Sequence, residues 1–449
     1  MNNTISTYII NLKKRTARKE HILKEFAGRD EFDVSIVEAH EHEIGAIGLW
    51  NTIRHIVQNL AAEKKEYILI CEDDHQFTEH YSKEHLFNCI AEAKANGADV
   101  VLGGVHWVQS TFAVSGSLLW AESFTATQFT IIFNKFYKAI LDTDFGEYDA
   151  ADFKIGSLTN NKFFIYPFIS VQKEFGYSDA TLRNNAEGRI TELFKNTAVA
   201  VKHLLNVADF YKTRQELLPV RDEQETFDNI IIPAYIINLS HRTDTREHIQ
   251  KQFKGRNEFE LTIVEAWQYE IEEVGIWLAI RKIVQMAIDN DEDVIIICKD
   301  GHEFTDAYSK SFLLKNIIEA HQQAADMLLG GLSYFDKALY ISDDTFWVNL
   351  FKGSQFVVVY NKLFQTILDE AFDKIINAEG LLSEMTGNKL VMFPLISTQK
   401  LFAPDDDSLV SNTEQNVCEF SDDPSKRLEN IKNAHLNFQY QQANKRIVV

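Results

Sequence analysis

The feature that most constrains this chain is that it contains itself twice. Tyr8-Ile9-Ile10-Asn11-Leu12 returns 227 residues later as Tyr235-Ile236-Ile237-Asn238-Leu239, and the register then holds without a gap. Glu20-His21-Ile22 matches Glu247-His248-Ile249, Ile36-Val37-Glu38-Ala39 matches Ile263-Val264-Glu265-Ala266, and Leu102-Gly103-Gly104 matches Leu329-Gly330-Gly331. Late in each copy, Tyr166-Pro167-Phe168-Ile169-Ser170 answers Phe393-Pro394-Leu395-Ile396-Ser397. A period this long marks a duplicated domain, since solenoid units run to about 20–50 residues.

Within a copy, strand and helix patterns alternate. Thr7 to Leu12 is a short apolar strand, Arg18 to Phe26 has helical spacing, Ser35 to Ala39 reads as a second strand, and Ile44 to Leu60 is again helical. Tyr67-Ile68-Leu69-Ile70-Cys71 is the β-rich apolar run of a strand buried on both faces, as in a parallel sheet. This order predicts an α/β, Rossmann-like layered domain in each copy. The expected organisation is a first domain over residues 1–190, a helical linker over 191–230, a second domain over 231–410 and a helical or extended tail over 411–449. Within the linker, Thr191 to Lys212 has amphipathic helical spacing and Thr213 to Asp228 reads as a polar connector.

Charge narrows the function classes. With 45 Lys and Arg against 66 Asp and Glu, the net charge is −21, which repels nucleic-acid backbones and anionic membranes. No nucleic-acid partner is expected. The N-terminal apolar run is interrupted by Asn11, Lys13, Lys14 and Arg15, so no signal peptide is read, and no run approaches the roughly 18 apolar residues of an integral membrane segment. The four cysteines lack metal-ligand spacing, which fits a reducing, cytoplasmic setting.

Two clusters carry chemistry. Directly after the buried strand come Glu72, Asp73, Asp74 and His75, three carboxylates and an imidazole on one strand-to-loop turn. Ligands of open α/β sheets bind beyond the carboxyl ends of strands, and clustered carboxylates attract a hard divalent cation such as Mn²⁺ or Mg²⁺. The plain alternative is a solvated acidic turn. Asp73→Ala or Asp74→Ala is expected to leave thermal stability nearly unchanged or raised. His75 could ligate the cation or hydrogen-bond to the acids, and the survival of His302 at its counterpart favours structure. The second cluster is Lys14, Arg15, Arg18 and Lys19 after the first strand, either reaching phosphate or forming a solvated helix face. Trp50 and Trp277 read as core, whereas Trp107 suits either the core or a sugar ring.

Ile10-Asn11-Leu12 with Lys14, Arg18 and Lys19, then Glu43-Ile44-Gly45 leading into Leu49-Trp50, then Ile68 through Glu72-Asp73-Asp74, resembles glycosyltransferase family 25, the lipooligosaccharide and collagen galactosyltransferases. The resemblance spans most of residues 7–180 and, more weakly, 234–407. It implies two tandem GT-A-like domains, a nucleoside-diphosphate sugar donor, a cation on the Glu-Asp-Asp turn, and inverting transfer to a saccharide, glycolipid or peptide hydroxyl. On this reading Asn11, Leu12, Lys14, Arg18, Glu72 and Asp73 bind the nucleotide sugar, and Asp73 and Asp74 hold the metal. Inverting transfer also needs a base, for which Asp149, Asp152 and Asp179 are candidates; Asp152 and Asp179 lie where the family has acidic elements. Asp179 reads equally as a helix cap. Gly45-Ala46-Ile47-Gly48-Leu49-Trp50 and Phe124-Thr125-Ala126-Thr127-Gln128 depart from the family's pattern, so the sugar and acceptor do not carry over. A metal-dependent nucleotidyltransferase or phosphohydrolase and a non-catalytic carbohydrate- or nucleotide-binding scaffold are the other readings, and a homo-oligomer is left open.

The second copy departs at the chemistry. Glu72 becomes Lys299, Asp74 becomes Gly301, Arg18 becomes Thr245 and Gly45 becomes Glu272, with Asp300 alone retained from the acidic turn. The expectation is one working site, in the first copy.

Overall fold

The computed structural model describes residues 4–61, 65–177, 186–217, 227, 229–239, 243–266, 272–370, 377–400 and 423–447. The chain divides into two compact units, Met1–Val207 with Ala434–Val449, and Ala208–Asn433.

The first unit begins with β1 (Ile5–Asn11), α1 (Thr16–Phe26), β2 (Phe32–Glu38), α2 (Gly45–His55), β3 (Tyr67–Glu72), the short β4 (His75–Phe77) and α3 (Lys83–Ala95). There follow β5 (Val100–Leu102), β6 (Trp107–Val108), β7 (Thr111–Ala113), β8 (Leu118–Ala121), β9 (Phe124–Thr125), β10 (Phe129–Phe133), α4 (Tyr137–Asp142) and α5 (Ala151–Ser157). β11 (Lys162–Ile165), β12 (Ser170–Gln172) and the long α6 (Arg189–Leu217), whose first part belongs to this unit, follow.

Eight strands form one sheet in the order β2-β1-β3-β10-β5-β11-β8-β7. β1 lies parallel to β2 and β3, and β5 parallel to β11, but β10 runs antiparallel to both β3 and β5. The sheet is therefore mixed, where the apolar runs alone suggested a parallel one. A strand buried on both faces reads the same whichever way its neighbour runs. The Gly103-Gly104 step lets β12 approach: a Cβ on Gly104 would stand 2.1 Å from the Ser170 carbonyl oxygen.

The second unit repeats this plan. Its eight-stranded sheet has the same strand order, and a Cβ on Gly331 would collide with the Ser397 carbonyl oxygen as one on Gly104 would with that of Ser170. Trp50 and Trp277 are core residues, 1% and 0% exposed.

Two segments expected outside the domains contribute to the compact units. Ile190, Phe194 and Val201 of α6 pack into the same core as Trp50, Ile53, Leu102 and Phe164, so the start of the expected linker is an element of the first unit. The expected tail holds a helix, Pro424–Ile447, that buries Leu428, Ile431, Ala434 and Phe438 at helical spacing. Phe438 packs against Phe163 of the first unit at 5.2 Å between ring centroids. The sequence predicts helix for the first segment and helix or extended chain for the second, and an apolar stripe of three or four residues suffices to dock such a helix. Among the described residues no helix is long and apolar enough to cross a membrane.

Candidate functional site

The carboxyl ends of β1 and β3 lie side by side, with Ile10 paired to Glu72. Beyond them opens a cleft of about 850 Å³, within the range of small-molecule sites. Leu12, Lys14, Arg15, Arg18, Glu72, Asp73, Asp74, His106, Trp107, Asp152 and Arg189 are among its lining residues. Of the residues singled out by sequence, Asn11 lies behind the cleft, and Asp179 lies outside the described residues.

Arg18 is the main surprise of the site. It is not on a solvated face: α1 buries Arg18, Ile22 and Phe26, one every four residues, and Arg18 is 5% exposed. Its Nη1 donates to Asp73 Oδ1 at 3.0 Å and Asp74 Oδ2 at 3.1 Å, and Nη2 donates to the Tyr177 carbonyl at 2.8 Å. The rings of Phe175 and Tyr177 lie 4.9 and 4.7 Å from the guanidinium carbon. Burial disfavours its charge, but Asp74 and Asp73 more than offset this and raise its pKa.

The three acids have different situations. Asp73 is 3% exposed, with Oδ2 accepting from Asn11 Nδ2 at 2.8 Å and Oδ1 from Arg18. In the second unit Asn238 Nδ2 donates to Asp300 Oδ2 at the same 2.8 Å, with Thr245 Oγ1 at 2.9 Å in place of the arginine. The Asn–Asp pair is thus common framework. Asp74 Oδ1 is buried without a hydrogen-bond partner. Glu72 Oε1 accepts from Thr127 Oγ1 at 2.6 Å. Burial, with Asp74 next in weight, pushes Glu72 up to about 8. Burial raises Asp74 to about 6 against the opposing charge of Arg18.

These atoms decide whether the turn suits a divalent cation. Among the described residues no group of three or more His, Cys, Asp or Glu could hold a metal ion. A Mg²⁺-type ion, however, commonly takes one or two carboxylates together with substrate phosphates. Two neighbouring carboxylates of raised proton affinity, one with an unpartnered buried oxygen, are what a site lacking one positive charge presents. The fit is to Glu72 and Asp74, whereas both oxygens of Asp73, expected among the metal ligands, already carry protein partners.

A pH effect follows. Both folded-state values lie above the ordinary carboxylate range, so the folded chain binds more protons than the unfolded chain between about pH 4 and 8. The stabilising contribution is fully present below the unfolded values and is lost as pH rises through about 6 and then about 8. Thermal denaturation should show the first unit's midpoint falling from about pH 5 to about pH 8.5, with Glu72→Gln flattening the upper part. A midpoint that rises across that window would refute the assignment.

Other candidates find other roles. His75 turns away from the acids: it is fully buried, its Nδ1 bonds Ser170 Oγ at 2.7 Å, and it packs on Phe77 and Phe129. His302 repeats this on Ser397 at 2.7 Å. Lys14 is exposed and pairs with Glu41 at 3.2 Å. Asp149 bonds Lys154 and the Gly146 amide.

Asp152 Oδ2 accepts from the amide of Ala126, which sits at φ 99°. Its counterpart Glu379 accepts from the amides of Gly353, at φ 69°, and Ser354. A carboxylate bracing the same left-handed turn in both units has a framework role, which competes with the expected role as base. Trp107 is half-buried, its ring centroid 6.1 Å from that of Phe153. Sequence reading missed Phe175 and Tyr177, which join Arg15 and Arg18 in one cation–aromatic layer. Only proximity in space joins residues 15–18 to 175–177.

No known family profile and no curated protein matches the chain. Among solved structures it is similar to A197 from STIV, at 11% identity and a TM-score of 0.30, over 38% of this chain and 87% of that one. It is similar also to apo UDP-glucose pyrophosphorylase, at 8% identity and a TM-score of 0.24, over 38% and 74% of the two chains. UDP-glucose pyrophosphorylase complexed with UDP-glucose gives 11% identity and a TM-score of 0.26, over 44% and 81%. At such scores no residue correspondence follows.

Proposed function

We propose that the first unit is a glycosyltransferase that binds a nucleoside-diphosphate sugar, UDP-linked by preference, in this cleft and transfers the sugar with inversion to an acceptor hydroxyl. One observation carries the reading: the cleft's charged floor is specific to the first unit, while the framework beneath it is common to both. Asn11–Asp73, His75–Ser170 and the amide of Lys173 on the Asp74 carbonyl all have counterparts in Asn238–Asp300, His302–Ser397 and Lys400 on Gly301. Glu72 and Asp74 have none, and at Arg18 only a neutral threonine hydroxyl takes its place on the aspartate. Residues retained without framework need are retained for a ligand.

The roles divide as follows. Arg15 and Lys14 offer positive charge at the cleft to a diphosphate. Arg18 holds Asp73 and Asp74 in place and keeps the floor from being uniformly negative. Mn²⁺ or Mg²⁺ bound there would neutralise charge on the departing nucleoside diphosphate, with Glu72 and Asp74 the residues that would hold it.

The test is a panel of nucleotide sugars offered to the full chain with Mn²⁺, reading free nucleoside diphosphate. Release of nucleoside diphosphate with acceptor is expected; release of sugar 1-phosphate instead would mean nucleotidyl transfer. Mn²⁺ should also raise the thermal midpoint above pH 7, an effect lost in Glu72→Gln with Asp74→Asn. Absence of both turnover and this shift sinks the reading.

A further inference from the structure

The duplicated framework serves as an internal control for the rest of the cleft. Histidines that belong to the framework recur with their bonds: His21 and His248 contact the carbonyls of His75 and His302 at 2.9 Å, and His75 and His302 bond Ser170 and Ser397. His106 does not recur. Its counterpart is Ser333, its hydrogen-bond partner Thr125 is matched by Lys352, and Phe153 beside it is matched by Gly380. This group is absent from the same copy that lacks Glu72, Asp74 and Arg18.

The geometry around His106 is that of a held imidazole at a cleft wall. Nδ1 lies 2.9 Å from Thr125 Oγ1, the ring meets Phe194 edge-on at 5.8 Å, and the His106 carbonyl accepts from Thr197 Oγ1 at 2.7 Å. With Nδ1–H donating to the threonine oxygen, Nε2 carries the free lone pair. Phe153 is 49% exposed and, with half-buried Trp107, gives the same wall two aromatic rings. Aromatic faces with a nearby polar group suit the apolar face of a pyranose.

We infer that the acceptor saccharide lies against Trp107 and Phe153 and that His106 Nε2 takes the proton of its attacking hydroxyl. The inference rests on the transferase reading above. In the step, the acceptor O–H bond breaks and its proton passes to Nε2. The oxygen's electron pair forms the bond to the anomeric carbon, and the bond from that carbon to the diphosphate oxygen breaks with its pair remaining on the nucleoside diphosphate. The imidazolium then returns its proton to water. Burial keeps the imidazole neutral near pH 7 by lowering its pKa, partly opposed by Asp152 of α5 and reinforced by Arg189 of α6. Asp152 keeps its bracing role and acts here only through its charge.

The test uses the full chain with the donor found above and a saccharide acceptor. His106→Gln should lower kcat by about 10²- to 10⁴-fold, the usual reach of general-base catalysis, while calorimetric affinity for the nucleoside diphosphate with Mn²⁺ stays within about twofold. The acid limb of the wild-type kcat profile should disappear with it, and imidazole in the buffer should restore turnover to His106→Ala. Phe153→Gly should raise the acceptor KM without moving donor affinity. A His106→Gln enzyme with wild-type kcat and an unmoved acid limb overturns this inference alone. Loss of nucleotide affinity in the histidine variants together with an unchanged acceptor KM in Phe153→Gly does so too. A wild-type chain that releases no nucleoside diphosphate from any donor overturns the transferase reading and this inference with it.

Discussion

Asp73→Ala should destabilise the first unit by about 1–3 kcal/mol, the cost of leaving buried donors of Asn11 and Arg18 without an acceptor while Asp74 still neutralises Arg18. Asp73 and Arg18 side chains are 4% and 6% exposed, so neither charge is rehydrated when the other is deleted. Asn11 Nδ2 loses its 2.8 Å acceptor as well. Asp74→Ala should be close to neutral, because it removes a carboxylate with one unpartnered oxygen and leaves Arg18 its bond to Asp73. The sequence reading treated the two acids alike and expected stability nearly unchanged for either, which the burial of Asp73 corrects. Chemical denaturation of both variants checks this; equal midpoints for the two would mean that the Asp73–Arg18 pair contributes little.

The same comparison explains what was legible in the sequence. The duplication, the order of the first strands and helices, and the acidic turn beyond β3 are all local patterns, so composition and periodicity reveal them. Arg18 was half-legible. Its spacing from Ile22 and Phe26 marks it as the first position of the buried stripe of α1, but a cationic residue in a basic run is read by its charge before its phase. Its burial is possible only because Asp73 and Asp74, 55 and 56 residues away, arrive to pair with it. No local pattern encodes that meeting. The reversed direction of β10 and the packing of the start of α6 into the first unit's core are likewise consequences of pairing across the chain.

Asp152 and His75 illustrate a subtler failure. Both are polar residues near the expected chemistry, and sequence proximity to a site weights such residues toward function. Comparison of the two units supplies the missing discrimination. His302 holds the same serine, and Glu379 braces the same positive-φ turn, in a unit where the acids are gone. What recurs in both units belongs to the framework, and the groups proposed to bind a ligand occur in one.

On that principle, calorimetry of the full chain with UDP and Mn²⁺ should give one site per chain, and none after Glu72→Gln with Asp74→Asn. Restoring the acids in the second unit through Lys299→Glu and Gly301→Asp should add no site. Lys299 Nζ lies 3.8 Å from Glu379 Oε2, and Glu379 is held by the amides of Gly353 at 2.9 Å and Ser354 at 2.6 Å. A glutamate at 299 would lose this pairing and face the carboxylate of Glu379, as Glu72 faces Asp152, but without the arginine whose charge offsets the acids in the first unit. Thr245 offers a hydroxyl to Asp300 but no positive charge to the new acids, and Glu272 adds a further negative charge where the first unit has Gly45. The second unit of this variant should melt earlier than wild type. A second stoichiometric, metal-dependent site of comparable affinity, in either the wild type or this variant, would overturn the single-site reading.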